Sequence, residues 1–468
     1  MLEELRSIDC ILGPEVCYAL RMIKNVFRFA ALGMLLSAPL TAAPAPTPEQ
    51  ILADASRYTV KVQVLNEIAL NQDDGGAGMG TGFLIDKKRG WLLTNAHVAT
   101  RSPSTIKVSF RNGEEFEARR IHVDPLIDLA VLVIPTNKIP SDAVEASLAC
   151  DSVPAAGTSV LAYGHPWGMS YTASRGIVAG LTWIYPSQLI QTDAVINSGN
   201  SGGPLISLSD GRVVGINTAT YQPEDKDEKG TAISLAEPMP SICKIIDLLK
   251  DGKDTKLRLL PIAIATAGDD LRPRVAKAFQ SGLQFQSGDI ITAVNGGAEV
   301  GTLPELLADL RGLNKEAIIS VERNGKSVNV RSPLNVVSDP LKARSINFSG
   351  LIIGRPWRLD DFDFNPDNHL IVEWYEMTEE ASLSGIEVSD YILSVDGRRF
   401  SELDELYRYL DQLPEDAVVE FMVKRLSKAI EFYSEYHQIS LARTKLDWVS
   451  AEVPNALGDP LSSKRLSF

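Results

Sequence analysis

Between about residues 51 and 214 the sequence breaks into short alternating or apolar runs, at 60–65, 82–85, 91–94, 105–110, 129–134, 159–162, 176–181, 189–192 and 212–216. Glycine, asparagine and aspartate separate them. So many short strands at regular spacing, with few helical stretches between, predict an all-β barrel or sandwich pair. The full chain of 468 residues has room for about three domains, and the rest reads differently. A helix is expected over 241–249, where Ile242, Ile245, Ile246 and Leu249 share one face. The polar stretch Lys250-Asp251-Gly252-Lys253-Asp254 then marks a boundary.

Beyond that boundary lies a weak internal repeat. Ser281-Gly282-Leu283 with 288–296 resembles Ser384-Gly385-Ile386 with 389–397, and each copy continues into an amphipathic helix (303–310, 402–410) and a closing strand (317–323, 418–424). Two copies of one small α+β module therefore follow the β region.

The N-terminal end carries an address. From Met22 a basic stretch with Lys24 and Arg28 is followed by the apolar run 29–40 and the small residues Thr41-Ala42-Ala43, the order of a secretory signal peptide. An uncleaved membrane anchor is the alternative, and the run is short for spanning a bilayer. Residues 1–21 read as an upstream extension, because Met22 is the better start for this signal. Residues 44–48 read as a Pro/Ala/Thr linker. Export places the mature chain in the periplasm or otherwise outside the cytoplasm. Of four cysteines only Cys150 and Cys243 then remain, which permits a disulfide without requiring one. Lys and Arg number 46 against 60 Asp and Glu, a net charge of −14, which works against nucleic acid or an acidic lipid surface as partner.

The chemistry concentrates in Asn197-Ser198-Gly199-Asn200-Ser201-Gly202-Gly203-Pro204. A serine among glycines suits a strained loop that brings backbone N–H groups close to a substrate. Such a serine needs a base, itself oriented by a carboxylate. Among the five histidines, His97 ends the run 91–98 where a buried strand meets a loop, and Asp128 opens the run 128–134 at the mouth of another. A solvated aspartate before a strand is the bland alternative for Asp128. His122, on a short strand, is the rival base, His165 sits in the turn Gly164-His165-Pro166-Trp167-Gly168, and His369 and His437 fall in the second repeat. Gly199 to Gly203 also fits the G-x-S-x-G elbow, but Ser201 leads into a hairpin instead of a helix, and both partners precede the serine. The order His, Asp, Ser is that of the chymotrypsin-type double barrel, so an esterase on another fold is disfavoured.

Taken together, Thr94-Asn95-Ala96-His97-Val98, Asp128-Leu129-Ala130-Val131-Leu132, the 164–168 turn, Gly176-Ile177-Val178, Gln191-Thr192-Asp193-Ala194 and 197–204 closely resemble the HtrA/Deg family of secreted serine proteases. The resemblance implies a mainly β chain: a chymotrypsin-like double β-barrel protease domain at 48–252, small α+β PDZ-like domains at 255–338 and 343–445, a polar tail at 446–468, and 1–45 as extension plus signal peptide. It implies Ser201 as nucleophile, His97 as general base and then acid, and Asp128 as the group fixing the imidazole tautomer. The N–H groups of Gly199 and Ser201 would form the oxyanion hole, with Asn200 in the same loop. Ile196 and Gly215-Ile216-Asn217-Thr218 would line an apolar pocket, plain core packing being the alternative for these residues.

The function so implied is ATP-independent endoproteolysis of unfolded or damaged envelope proteins, after residues such as Val, Ala or Ile. A chaperone or adaptor with a dead protease domain is the alternative, and it predicts loss of His97, Asp128 or Ser201, all of which are present. No metal cluster, Walker loop or dinucleotide fingerprint occurs, so no cofactor or metal is expected. The short Gly-rich loop 71–80 counts against large cage-like assemblies and leaves a homo-oligomer, a trimer by resemblance. PDZ domains receive a peptide's C-terminal carboxylate on free backbone N–H groups. In the second copy Ser349, Gly350, Leu351 and Ile352 would supply that loop for peptides with apolar C-termini. The matching stretch of the first, Leu259-Leu260-Pro261-Ile262, lacks glycine and contains a proline.

Overall fold

The computed structural model describes residues 45–450, apart from 67, 69, 71, 72, 74, 170, 185, 186, 222–232, 268, 269, 280, 281, 338, 356–369, 377–379 and 427–433. The expected export segment, His369 and the stretch 451–468 lie outside the described residues. Where the sequence reads as linker and then strand, a helix spans Pro48–Tyr58. Thr47 and Gln50 start it with a reciprocal cap: Gln50 N–H donates to Thr47 Oγ1 at 3.3 Å and Thr47 N–H to Gln50 Oε1 at 2.8 Å, with proline at the first helical position. Its Ile51, Ala55 and Tyr58 are buried in the core of the first barrel.

Two closed six-stranded barrels follow, as the run pattern predicts. The first contains β1 (Thr59–Asn66), β2 (Gly76–Asp86), β3 (Trp91–Thr94), β4 (Ser104–Ser109), β5 (Glu115–Asp124) and β6 (Leu129–Val133), in the order β1-β2-β3-β6-β5-β4. Alternation decides which face goes in: Val60, Val62 and Val64 of β1 are buried at every second position. Strands β3 and β6 are buried throughout and pair antiparallel from Trp91↔Val133 to Thr94↔Ala130. The residues after Thr94 and before Leu129 therefore emerge at one end of the barrel, which puts His97 and Asp128 side by side. The second barrel contains β7 (Ser159–Gly164), β8 (Thr172–Ile184), β9 (Ser187–Thr192), β10 (Pro204–Ser207), β11 (Val213–Tyr221) and β12 (Ile233–Pro238), in the order β10-β11-β12-β9-β8-β7.

The expected helix is present as Met239–Lys250, with Ile242, Ile245, Ile246 and Leu249 buried. Cys243 on this helix is bonded to Cys150, closing a separation of 93 residues. This settles a pairing the sequence leaves open, and a bond over so long a loop contributes about 2–5 kcal/mol in the chain-entropy account.

The repeat appears as two modules holding three sheets. The first module pairs β13 (Arg258–Leu259) with β19 (Asn335–Val336), and orders β14 (Ile262–Ala267), β15 (Asp270–Ala278), β16 (Ile290–Val294), β17 (Glu316–Arg323) and β18 (Lys326–Pro333) in sequence, with a helix at Leu303–Leu310. Arg311, just past that helix, forms a buried ion pair with Asp124 of β5, tying the module to the first barrel. The second module is one seven-stranded sheet, β25-β24-β23-β22-β21-β20-β26, built from β20 (Arg344–Phe348), β21 (Leu351–Gly354), β22 (Leu370–Tyr375), β23 (Tyr391–Val395), β24 (Val418–Leu426), β25 (Ser434–Ala442) and β26 (Leu446–Ser450). Strand β26 differs from the expected polar tail: it pairs with β20 from Phe348↔Leu446 to Arg344↔Ser450, so the module extends beyond 445. Its signal is weak because Leu446 and Trp448 are only partly buried against the core.

One buried acid in the second module gives a pH-dependent stability. The Glu373 carboxyl on β22 accepts from Ser345 Oγ and fills the space beside Gly354, where a Cβ would lie 2.2 Å from its carboxyl carbon. Burial raises its pKa from 4.5 to about 7, against the lowering effect of the Ser345 bond and the Arg101 charge; the Asp73 charge adds to the rise. The folded chain thus holds a proton that the unfolded chain releases, so stability is full below pH 4.5 and falls as pH rises towards 7. Glu373→Gln is expected to stabilise the chain at pH 8, by on the order of 3 kcal/mol, and to leave it unchanged at pH 4. Denaturant melts at the two pH values check this, and an equal effect at both would refute it.

Candidate active site

The cleft between the barrels collects side chains from both. After β3 the chain turns at Asn95 into the four-residue helix Ala96–Ala99. His97 N–H donates to Asp128 Oδ1 at 2.9 Å, and His97 Nδ1 lies 2.7 Å from Asp128 Oδ2. Both carboxylate oxygens thus hold one residue. With Nδ1–H donated to the carboxylate, Nε2 carries the lone pair, the tautomer a general base needs. Asp128 adopts a left-handed backbone, φ 46°, immediately before β6. That costly conformation is held by two donors to its carbonyl, Ala96 N–H at 3.0 Å and Asn95 Nδ2 at 2.9 Å. The same Asn95 Nδ2 lies 3.0 Å from Thr218 Oγ1, so a fully buried amide joins the aspartate turn of one barrel to the wall of the other. Glu237 on β12 is buried near this turn, and burial, then the charges of Asp128 and Asp124, holds its carboxyl well above the usual range.

Ser201 lies on the loop before β10 of the second barrel, its Oγ donating at 3.1 Å to the carbonyl of Thr218, the residue whose hydroxyl meets Asn95. The carbonyls from Ser198 to Ser201 are all held. Ser198 O accepts from Trp167 N–H at 2.8 Å, Asn200 O from Gly203 N–H at 2.9 Å and Ser201 O from Thr81 N–H at 2.8 Å. Gly199 O accepts from Thr81 Oγ1 at 2.7 Å. In a trans peptide N–H points opposite to C=O. Anchoring the Ser198 and Asn200 carbonyls therefore turns the Gly199 and Ser201 N–H groups the other way, as an oxyanion site requires. Gly199 has φ 101°, and a Cβ there would lie 2.4 Å from His165 O, so only glycine fits. Gly202, at φ 84°, would bring a Cβ to 2.1 Å from Thr81 O.

The remaining expected residues are placed less simply. Ile196 and Ile216 are buried in hydrophobic cores, and Asn217 is fully buried with Nδ2 near Pro204 O at 3.3 Å. Only Thr218 of this set reaches the cleft surface with its side chain. Asn200 is buried, its Nδ2 3.4 Å from Val195 O. His122, the rival base, is buried on β5 with Nδ1 3.2 Å from Thr255 Oγ1, away from Asp128's carboxylate, and burial lowers its pKa to about 4.

The loop expected to receive a peptide carboxylate is a tight hairpin turn. Ser349 and Gly350 both have positive φ, 51° and 84°, and join β20 to β21 across Phe348↔Leu351. Ser349 N–H donates to Lys445 O and Gly350 N–H to Asn347 Oδ1, both at 3.0 Å. Leu351 and Ile352 pair with β20 on one side and β22 on the other. The glycine that suggests an open loop is there for a turn, and its N–H groups are occupied. Sequence reasoning assigns no part to Thr81 or to the side chain of Asn95, and gives Thr218 only a place in the pocket wall, because a lone hydroxyl or amide becomes legible as a link only once the second barrel is beside it.

Residues 80–216 match the model of the trypsin-like peptidase domain. The periplasmic serine endoprotease DegP of Salmonella typhimurium is 27% identical over 368 residues, covering 72% of either chain. A probable DegP-like periplasmic serine endoprotease of a Marinomonas species is 29% identical over 390 residues, 78% of this chain and 80% of its own. The periplasmic pH-dependent serine endoprotease DegQ of Escherichia coli is 28% identical over 379 residues, 75% and 79%. Among solved structures, the HtrA-type protease AlgW with a tripeptide superposes with TM-score 0.50 at 24% identity, over 63% of this chain and 99% of its own, a likeness of fold.

Proposed function

We propose that the chain is a serine protease of the HtrA/Deg type and works as an ATP-independent endopeptidase on unfolded or damaged polypeptides of the cell envelope. Its place there rests on the periplasmic names of its relatives and on the signal expected from Met22. One observation carries the mechanism: a histidine bonded twice to an aspartate on one barrel and, on the other, a serine loop whose carbonyls from Ser198 to Ser201 are held.

In this reading Ser201 Oγ bonds to the scissile carbonyl carbon as its proton passes to His97 Nε2. Asp128 stabilises the imidazolium and keeps the ring oriented. The displaced carbonyl electrons settle on an oxygen between the Gly199 and Ser201 N–H groups, beside Asn200. When the C–N bond breaks, Nε2–H protonates the departing amine and leaves an acyl-Ser201. Water then loses a proton to Nε2 as it attacks the ester carbon, and Nε2–H returns that proton to Ser201 Oγ as the acyl C–O bond breaks, releasing the new carboxyl end.

Of the expected wall, Thr218 reaches the cleft and brings no charge to it, which favours a small or medium apolar residue before the cut. Strand β14 is the edge of the first module's sheet, open to strand addition by a peptide, whereas β21 is flanked on both sides. Peptide capture or gating is therefore assigned to the first module.

Digestion of casein without nucleotide tests the whole reading. New C-termini should be Val, Ala or Ile, and ends at Lys or Arg would reject the pocket, as an ATP requirement would reject the rest. Adding a peptide with a free apolar C-terminus should change the rate, and a constant rate would remove the modules from peptide capture.

A further inference from the structure

We propose that Thr81 is a positioning residue for catalysis: its hydroxyl, oriented by His165, fixes the Gly199 carbonyl and through it the loop whose N–H groups receive the oxyanion. The inference rests on the reading of Ser201 as nucleophile.

Thr81 lies on β2 of the first barrel and is fully buried, yet its hydroxyl partners all belong to the second barrel. Its Oγ1 is 2.7 Å from Gly199 O, 3.1 Å from His165 N and 3.2 Å from His165 Nδ1. A hydroxyl has one proton and two lone pairs. Gly199 O can only accept, so the proton goes there. The His165 backbone N–H fills one lone pair, and the second is left for Nδ1–H, which defines the ring tautomer. His165 is itself buried, with its ring edge-on to Tyr171 at 4.8 Å between centroids. Burial, then the Lys61 charge, lowers its pKa to about 4, so the ring is neutral across ordinary working pH. Two donors from one residue thus aim the Thr81 proton at the nucleophile loop.

The backbone of the same residue closes the link. Thr81 N–H holds Ser201 O at 2.8 Å, and Thr81 O accepts from Thr94 Oγ1 at 2.7 Å, three residues before His97. One residue thereby spans from the strand that delivers the base to the loop that carries the nucleophile. Nucleophile and base come from different barrels, and small misplacements between them are costly in rate.

Thr81→Val keeps the shape and removes the hydroxyl, while Thr81→Ser keeps the hydroxyl. On a peptide anilide with valine before the scissile bond, Thr81→Val should lower kcat about 10- to 100-fold, less than loss of an oxyanion donor outright, with KM little changed. Thr81→Ser should restore most of that rate. A Thr81→Val kcat within about threefold of the parent, equal losses in both variants, or a loss confined to KM would overturn the proposal. If Thr81→Val does not fold, His165→Ala decides: a lower kcat supports the proposal and an unchanged one overturns it. Labelling with a fluorophosphonate separates this from the nucleophile assignment. Thr81→Val should label fully but slowly and Ser201→Ala not at all; labelling of Ser201→Ala would instead overturn the reading of Ser201.

Discussion

Ser201→Ala is expected to bring casein cleavage below detection, with kcat on the order of 10⁶ lower, because members of a triad act as a unit and loss of the nucleophile costs about as much as loss of all three. The fold should survive. The Ser201 hydroxyl bonds to Thr218 O at a half-buried site, whereas the bonds that hold the loop run through backbone groups and Thr81. Circular dichroism and the thermal midpoint should therefore match the parent. A purified variant that keeps more than about a hundredth of the parent rate would reject Ser201 as nucleophile.

His97→Ala should be almost as severe, on the order of 10⁵ to 10⁶ in kcat, and His122→Ala should leave kcat unchanged. The contrast follows from environment. His97 is half-exposed at the cleft with Asp128 at 2.7 Å, whereas His122 is buried against Thr255. Burial lowers the His122 pKa to about 4 although the Asp124 charge opposes this, so the ring is a neutral packing group. Removing it should cost stability, by about 1–3 kcal/mol, read as a lower thermal midpoint. An inactive but folded His122→Ala chain, or an active His97→Ala chain, would reverse the assignment of the base.

The barrels were legible because most of their strands are short runs with strong periodicity, and because buried β3 and β6 are apolar except at Thr94. Strand β5 was harder: Glu115, Glu117, Arg119 and Arg120 interrupt the pattern with charge, and its inward residues alternate for only part of its length. The helix at Pro48–Tyr58 hides in composition, since prolines and alanines before it suggest linker while the Thr47 to Gln50 spacing names a cap. At the site, the pairing of His97 with Asp128 was legible from residue type and order. The walls were not, because an isoleucine beside a pocket and one in a core read alike, as Ile196 and Ile216 demonstrate. Ser349-Gly350 misled for a related reason: the same dipeptide serves a carboxylate-receiving loop or a two-residue hairpin, and only the pairing of β20 with β21 distinguishes them.

The bond between Cys150 and Cys243 makes a covalent ring of the intervening chain, Ser201 included. A protease that cuts extended polypeptide also meets its own copies. A single nick anywhere between the two cysteines releases no fragment: the pieces stay joined and migrate as one species until the disulfide is reduced. Self-digestion within this ring would be invisible on a non-reducing gel, so a preparation that looks intact there can contain clipped molecules that separate only when a reductant opens the ring.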